Sequence, residues 1–251
     1  MSDNVRRDNR RALPKYLLTI LLFGLLGGVL GFFTGVAGAA GVAETVRQAL
    51  DRVLAVCAPW GIVGSAVVLL GAGWYLYAAA KRRFAAWDGE DEDAMDAAEQ
   101  QLSWALLLTG LVIILDFFFF AASIIYDRFL PDLILFLASV AVLVVLQQKI
   151  VDLERRINPE KRGSVYDMKF QKTWMDSCDE AERAQIGRAS YRAFRAVNRF
   201  CPFLWLALLL LSYVFPIGLM PLAAVLLVWA VLEVTYILEC IRLSRNKEAA
   251  Q

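Results

Sequence analysis

Histidine is absent from this chain of 251 residues. Its absence excludes Ser-His-Asp triads, HExxH zinc sites and imidazole proton relays. The phosphate-binding motifs GxxxxGK[ST] and GxGxxG are missing too, so the chain carries no nucleotide-binding fingerprint. Four cysteines are present without a CxxC motif or a close pair, which predicts structural thiols. We therefore expect a non-enzymatic protein with no catalytic residue, no metal and no cofactor.

Basic residues are absent from six long apolar runs. The composition is 59% hydrophobic and the mean hydropathy is +0.53, whereas soluble domains have roughly 45–50% apolar residues. A run of about 20 apolar residues is long enough to cross a bilayer. The predicted fold class is an all-α polytopic membrane protein with six transmembrane helices in three hairpins. A helical cytosolic loop is predicted between spans 4 and 5.

The predicted organisation follows these runs. It comprises a basic cytosolic head at 1–15, spans 1–4 at 16–146 with an acidic cytosolic loop at 81–100, an amphipathic helical cytosolic loop at 147–200, spans 5–6 at 201–241, and a basic cytosolic tail at 242–251. A short outer loop is predicted at Glu44–Arg52. Asn158-Pro159 should end the helix of span 4, and Pro202 is the predicted start of span 5.

The distribution of basic residues predicts the topology. Of the 26 Lys and Arg residues, only Arg47, Arg52 and Arg128 fall on one side of the predicted membrane. This positive-inside pattern predicts a multi-pass plasma-membrane protein with both termini in the cytoplasm. The first apolar run exceeds the 7–15 residues of a signal-peptide core, which favours an uncleaved anchor helix. The net charge of +1 gives no support for a nucleic-acid partner.

The first span contains two ladders of glycine at four-residue spacing. Gly24 and Gly28 form one, and Gly27, Gly31 and Gly35 form the other. Small residues at this spacing let helix backbones approach closely in lipid. The ladders are interpreted either as packing within the chain or as a face for a homo-oligomer.

An acidic run precedes the third span. Asp88 to Glu99 has the length of an EF-hand loop. Its sixth position is Asp93, however, where the sharp turn of that loop needs glycine. The run therefore favours an acidic first turn of the helix of span 3, which the helix dipole stabilises.

Two helix starts are predicted in the loop at 147–200. Ser164-x-x-Asp167 would start a helix that places Tyr166, Phe170 and Trp174 on one face. That face either lies in the membrane interface or packs under the bundle. Ser177 and Glu180 would form a capping box at the start of a second helix.

The second helix would carry a stripe of arginines toward the membrane. The stripe consists of Arg188, Arg192, Arg195 and Arg199. It is interpreted either as a surface for anionic lipid headgroups or as a solvated face that follows the positive-inside rule.

The stretch Gly163-Ser-Val-Tyr-Asp-Met-Lys-Phe-Gln-Lys-Thr-Trp-Met-Asp-Ser-Cys-Asp-Glu-Ala-Glu182 resembles the signature loop of domain-of-unknown-function family 3169. The glycine-rich first span and the acidic run are similar as well. These are multi-pass membrane proteins found mainly in Gram-positive bacteria. The resemblance implies a bacterial plasma-membrane location. The family has no assigned activity, so the resemblance implies no functional residues.

Two acids lie well inside apolar runs, Asp116 in span 3 and Glu233 in span 6. A carboxylate near the bilayer centre costs about 2.5–3.5 kcal/mol, and no Lys or Arg lies within a span. Three arrangements would lower this cost. In the first, each acid would be protonated and hydrogen-bonded to Ser, Thr or Tyr of a neighbouring helix. In the second, the two acids would share a proton. In the third, they would hold a cation or line a polar path.

Two functions follow as hypotheses. The favoured one is a membrane-anchored adaptor or sensor that acts through the loop at 147–200, with the lipid bilayer, anionic headgroups and a protein as partners. The alternative is a permease-like transport subunit or a proton- or cation-coupled carrier that uses Asp116 and Glu233. Few polar residues in the spans leave little material to line a substrate route, which favours the first.

Overall fold

The computed structural model describes residues 13–18, short stretches between 21 and 36, 41–125 without 88 and 90, 129–212, 215, and 217–248. The regular elements in these ranges are helices. They are α1 (Val42–Ser65), a π-helical turn (Ala66–Leu70), α2 (Gly71–Ala86), α3 (Glu92–Ile125), α4 (Phe129–Ile157), α5 (Phe170–Asp176), α6 (Glu180–Ser212) and α7 (Met220–Glu248).

Five helical stretches in the described ranges are long and apolar enough to cross a membrane. They are Trp60–Ala86, Glu92–Ile125, Leu130–Ile157, Glu180–Ser212 and Met220–Leu243. The regular structure of the described residues is therefore helical, and these five apolar stretches indicate a membrane protein. The first predicted span, Tyr16 to about Ala40, lies partly outside the described residues, as do the head and the end of the tail. The count of six spans and three hairpins therefore stays a prediction.

The predicted outer loop at Glu44–Arg52 is wrong, because α1 already runs through it. Glu44 in the first turn accepts a hydrogen bond from Gln48 Nε2 at 3.0 Å and lies 3.9 Å from Arg47. Polar pairs three and four residues apart stabilise an exposed helix. The low hydropathy of this stretch therefore reflects a polar extension of a helix and not a loop.

The prediction that a helix starts at Pro202 is also wrong. Helix α6 begins at Glu180 and continues through Pro202. A proline inside a helix has no N–H to offer the carbonyl four residues earlier, here that of Asn198. The Asn198 side chain accepts a hydrogen bond from Trp229 Nε1 at 2.7 Å, so a polar link to α7 lies beside the interruption.

Other helix ends follow local signals in the sequence. Helix α4 ends at Ile157, directly before Asn158-Pro159, as predicted. Helix α3 begins at Glu92, and Asp91 Oδ1 accepts a hydrogen bond from the Ala94 amide at 3.0 Å. Asp91 is thus the N-cap, and Glu92 and Asp93 occupy the first turn, where the helix dipole favours acids.

The described chain forms two compact units, residues 50–186 and residues 187–251 with 1–49. In the first unit, α3 packs against α2 and α4. Leu102, Leu146 and Ile150 are fully buried there. A Cβ atom on Gly73 would lie 3.1 Å from Leu146 Cδ2, so the absence of a side chain at Gly73 permits the close approach of α2 to α4.

The second unit contains most of α6 together with α7. Phe194 of α6 stacks on Tyr236 of α7 with ring centroids 4.2 Å apart and ring planes 20° from parallel. This stack and the bond from Trp229 to Asn198 are side-chain links between the two helices.

Candidate functional site

Asp116 is fully buried in α3 and is hydrogen-bonded through both carboxyl oxygens. Ser65 Oγ, at the end of α1, donates to Oδ1 at 3.0 Å. Ser139 Oγ, in α4, donates to Oδ2 at 2.5 Å. Each serine belongs to a different neighbouring helix, so one carboxyl group links three helices in the apolar part of the fold. Ser65 and Ser139 were not singled out from the sequence, although isolated serines in apolar runs are a visible signal.

The Asp116 cluster lies where the helical register changes. Ser65 is the last α-helical residue before the π-helical turn at Ala66–Leu70. Its hydroxyl also lies 3.0 Å from the carbonyl oxygen of Ile62 and has one proton for the two acceptors. π-Helical turns inside longer helices are frequent at functional sites.

The other intramembrane acids have different environments. Glu233, which the sequence analysis pairs with Asp116, is half-buried on α7 in the second compact unit. Asp132 was missed by sequence reasoning and is fully buried in the first turn of α4. Its signal was the position after Pro131 at a helix start, where the dipole favours an acid.

The glycine ladders make almost no close contact within the described chain. A Cβ atom at Gly24, Gly27, Gly28 or Gly35 would meet no described atom within 4 Å. At Gly31 it would meet Leu210 Cδ2 at 4.0 Å. Packing of the ladders within the chain stays a prediction. A homo-oligomer through this face stays a prediction.

The four stripe arginines lie on the polar first half of α6. Arg188, Arg192, Arg195 and Arg199 are all exposed. The Arg195 guanidinium lies 5.8 Å from the ring centroid of Tyr191. The stripe is therefore accessible to anionic groups.

The chain between α4 and α6 is folded onto the ends of α3 and α4. Gln148 Oε1 accepts hydrogen bonds from Ser164 Oγ at 3.0 Å and from the Val165 amide at 2.8 Å. Gln148 is buried on α4, so these bonds fix the segment against the bundle. We call residues 158–179 the docked segment.

Gly163 is required at its position in the docked segment. Its φ of 127° is in the region that favours glycine. A Cβ atom there would lie 2.9 Å from Phe170 Cδ2. The turn and the position of the Phe170 ring thus depend on one missing side chain.

A buried ion pair closes the docked segment onto α6. Lys161 is buried, and its ammonium donates to Glu182 and lies 3.7 Å from Cys178 Sγ. Burial by itself lowers the pKa of Lys161, but the hydrogen bond and charge of Glu182, helped by Cys178, raise the pKa above its usual range. Lys161 is therefore charged at neutral pH.

The predicted capping box at Ser177 and Glu180 is wrong by two residues. Helix α6 starts at Glu180, and Asp179 is its N-cap. Asp179 Oδ1 accepts from the Glu182 amide at 2.8 Å, and Glu182 Oε2 accepts from the Asp179 amide at 3.0 Å. Ser177 instead ends α5, where its hydroxyl donates to Trp174 O at 2.7 Å. Both pairs fit the same motif, and the hydrogen bond that Glu182 accepts from Lys161 favours the later one.

The predicted aromatic face is only partly correct. Helix α5 begins at Phe170, not near Ser164, and Tyr166 lies in a preceding turn with its side chain exposed. Asp167 instead accepts a hydrogen bond from the Lys169 amide at 2.9 Å, a local turn that delays the helix. Phe170 and Trp174 are half-buried, with ring centroids 5.6 Å apart.

A cavity of about 600 Å³ lies between α3, α4 and the docked segment. Its walls include the rings of Phe170 and Trp174. Its polar part includes Glu99 of α3 and Glu154 of α4. The sequence analysis names Glu99 only as the end of the acidic run and does not name Glu154, because the proximity of the two acids depends on the packing of α3 against α4.

One neutral side chain joins these two acids. Asn158 Nδ2 donates to Glu99 Oε1 at 2.8 Å and to Glu154 Oε1 at 3.2 Å. The donor follows the end of α4, at the asparagine that precedes Pro159. The cavity thus combines apolar walls, two aromatic rings and two carboxyl groups.

The fold and these sites define the class, an all-helical membrane protein with a docked segment beside its helix bundle. A family model described as Protein of unknown function (DUF3169) matches residues 10–240. The chain belongs to this family, as its resemblance at Gly163–Glu182 predicted. No curated protein and no solved structure matches it.

We predict that Asp116 stabilises the bundle by linking helices. Asp116→Leu should lower the free energy of unfolding by about 1–2 kcal/mol, because two interhelical hydrogen bonds are lost. Asp116→Asn should cost less, since an amide still bonds both serines. Unfolding in detergent followed by tryptophan fluorescence measures both, with Gln100→Leu at an exposed position of α3 as the control. Equal losses for the Leu and Asn variants would contradict the linking role.

We predict an asymmetry between the partners of the buried ion pair. Glu182→Ala should cost about 2–3 kcal/mol because it leaves the Lys161 ammonium buried without its carboxylate. This is below the roughly 3–5 kcal/mol of a fully buried pair, since the Glu182 side chain is 37% exposed. Lys161→Met should cost less than about 1 kcal/mol, because it removes the buried charge itself.

The same unfolding assay measures this asymmetry, with limited proteolysis of the docked segment as a local readout. Asp179→Ala removes the helix cap but leaves the ion pair, and so separates the two roles of Glu182. Because the pKa of Lys161 is raised, the stabilisation by the pair should be complete at neutral pH and fade only in the alkaline range. A larger loss for Lys161→Met than for Glu182→Ala would refute the assignment.

Proposed function

We propose that this protein is a non-enzymatic adaptor or sensor of a bacterial plasma membrane that acts through its cytosolic loop at 147–200. In this proposal the chain crosses the membrane several times, with both termini in the cytoplasm. The asymmetry of its basic residues supports that topology.

The observation that carries the proposal is the folding of the docked segment. A mere linker between two spans needs no internal structure. Here the segment is tied to α4 through Gln148 and to α6 through Lys161, and it encloses a cavity with α3 and α4. A ligand or partner that changes this segment would act on three membrane-associated helices at once.

Exposed side chains of the loop at 147–200 support a role at the membrane surface. The exposed arginines of α6 match the anionic headgroups that line the cytoplasmic leaflet. Met168 is 100% exposed and Tyr166 is 67% exposed. Exposed apolar side chains favour contact with lipid or with a partner protein.

The environment of Asp116 favours this role over the carrier alternative. A carrier needs a carboxylate that exchanges its proton or cation during transport. Both oxygens of Asp116 are engaged by serine hydroxyls of neighbouring helices. These two hydrogen bonds support a role for Asp116 in linking helices of the bundle.

The topology predicts opposite labelling at two exposed positions. In a cysteine-free background, Met168→Cys should react with a membrane-impermeant maleimide only in inside-out vesicles. Leu219→Cys, at an exposed position before α7, should react in intact cells. The readout is the mass shift of the purified protein. Labelling of both positions from the same side would contradict the proposed topology.

The adaptor role predicts a partner at the docked segment. A photo-crosslinking amino acid at Tyr166 should capture one protein in near-stoichiometric amount in native membranes. The matched control is Tyr75 on α2, a tyrosine of almost equal exposure at 68%. Capture at Tyr166 but not at Tyr75, identified by mass spectrometry, supports the role. Capture of an ATPase would indicate a transport subunit, and no adduct at Tyr166 would argue against an adaptor.

A further inference from the structure

We propose that the cavity between α3, α4 and the docked segment binds one lipophilic organic ammonium cation. The ammonium group would lie at Glu99 and Glu154, and the apolar body would lie between the helices and the rings of Phe170 and Trp174. The binding site stands on its own geometry. The further idea that this cation is the signal detected by a sensor rests on the proposed function.

The charge of the cavity favours a cation. Glu99 and Glu154 share a single neutral donor, Asn158, at 2.8 and 3.2 Å. The positive charge of Lys161 acts on Glu154, but this ammonium is already paired with Glu182. Two half-buried carboxyl groups beside one another are costly without a positive charge between them. An anionic ligand would add a third negative charge.

The walls of the cavity favour an organic cation over a metal ion. Leu102, Leu106, Ile150 and Val151 line it, with the two rings. No cluster of three or more acidic, cysteine or histidine side chains suited to a metal occurs among the described residues. Aromatic faces attract ammonium groups through the negative charge of their π-electrons. Carboxylates and aromatic rings around an apolar space are complementary to an amine with a hydrophobic body.

The size and position of the cavity agree with this ligand. Pockets for drug-sized ligands have about 300–1,000 Å³, and this one has about 600 Å³. It lies at Leu102 and Leu106 of α3 and at Gln147 and Ile150 of α4, where the apolar runs give way to polar sequence. Amphiphilic cations collect at this level of a bilayer, with the charge toward water and the body in the lipid.

A charged ligand and its neutral isostere test the proposal directly. The probe is (4-phenylbutyl)trimethylammonium, and its isostere carries a tert-butyl group in place of the trimethylammonium group. Binding to the full-length protein is measured by calorimetry in nanodiscs of zwitterionic phosphatidylcholine. The cation should bind at least about tenfold more tightly than the isostere, because only the cation meets the carboxylates. Equal affinities would overturn the proposal without any mutation.

Three substitutions assign the binding to this cavity. Glu99→Gln and Glu154→Gln should each weaken binding of the cation by about five- to tenfold and leave the isostere unaffected. Each glutamine keeps an oxygen for Asn158, so the fold should persist. Trp174→Ala should weaken binding of the cation by about three- to fivefold. The matched control is Glu160→Gln, which removes the same charge from an exposed position outside the cavity.

The outcomes also separate this proposal from the adaptor role. Unchanged binding in folded Glu99→Gln and Glu154→Gln variants would overturn the site. So would binding that appears only in discs with anionic lipid. Cation binding without an adduct at Tyr166 would support the binding site and contradict the sensor role. An adduct at Tyr166 without cation binding would support the adaptor role and overturn the binding site.

Discussion

The first compact unit depends on one constraint, that a polar group in an apolar environment must find its hydrogen-bond partner within the protein. Asp116 meets it with Ser65 and Ser139, on two other helices. These bonds set the register of α1 and α4 against α3. They also place the π-helical turn at Ala66–Leu70 directly beside the carboxyl group.

The same constraint shapes the polar end of the bundle. Gln148 and Lys161 are buried, and each fixes a different part of the docked segment. Because these bonds hold the segment at a set distance from α3 and α4, a cavity remains between them. The ligand site that we propose thus follows from how the segment is anchored, and Gly163 is the position at which the chain turns to allow it.

The differences between the predicted and observed elements have a common cause. Low hydropathy at Glu44–Arg52 indicated a loop, yet pairs of polar side chains keep it helical. Pro202 indicated a helix start, yet a helix that began at Glu180 continues through it. Ser177 and Asp179 each offer a capping box, and the choice between them depends on Lys161, a residue outside both motifs.

The sequence by itself determined the helical class, the apolar stretches, the end of α4 before Pro159 and the membership of the family. These are properties of a residue and its near neighbours along the chain, because hydropathy and proline geometry act locally. Only the tertiary structure decided which groups meet. Asp116 is 51 residues from Ser65 and 23 from Ser139, and Asn158 is 59 from Glu99. Helix packing brings such distant residues within hydrogen-bond distance, and no local pattern in the chain encodes that pairing.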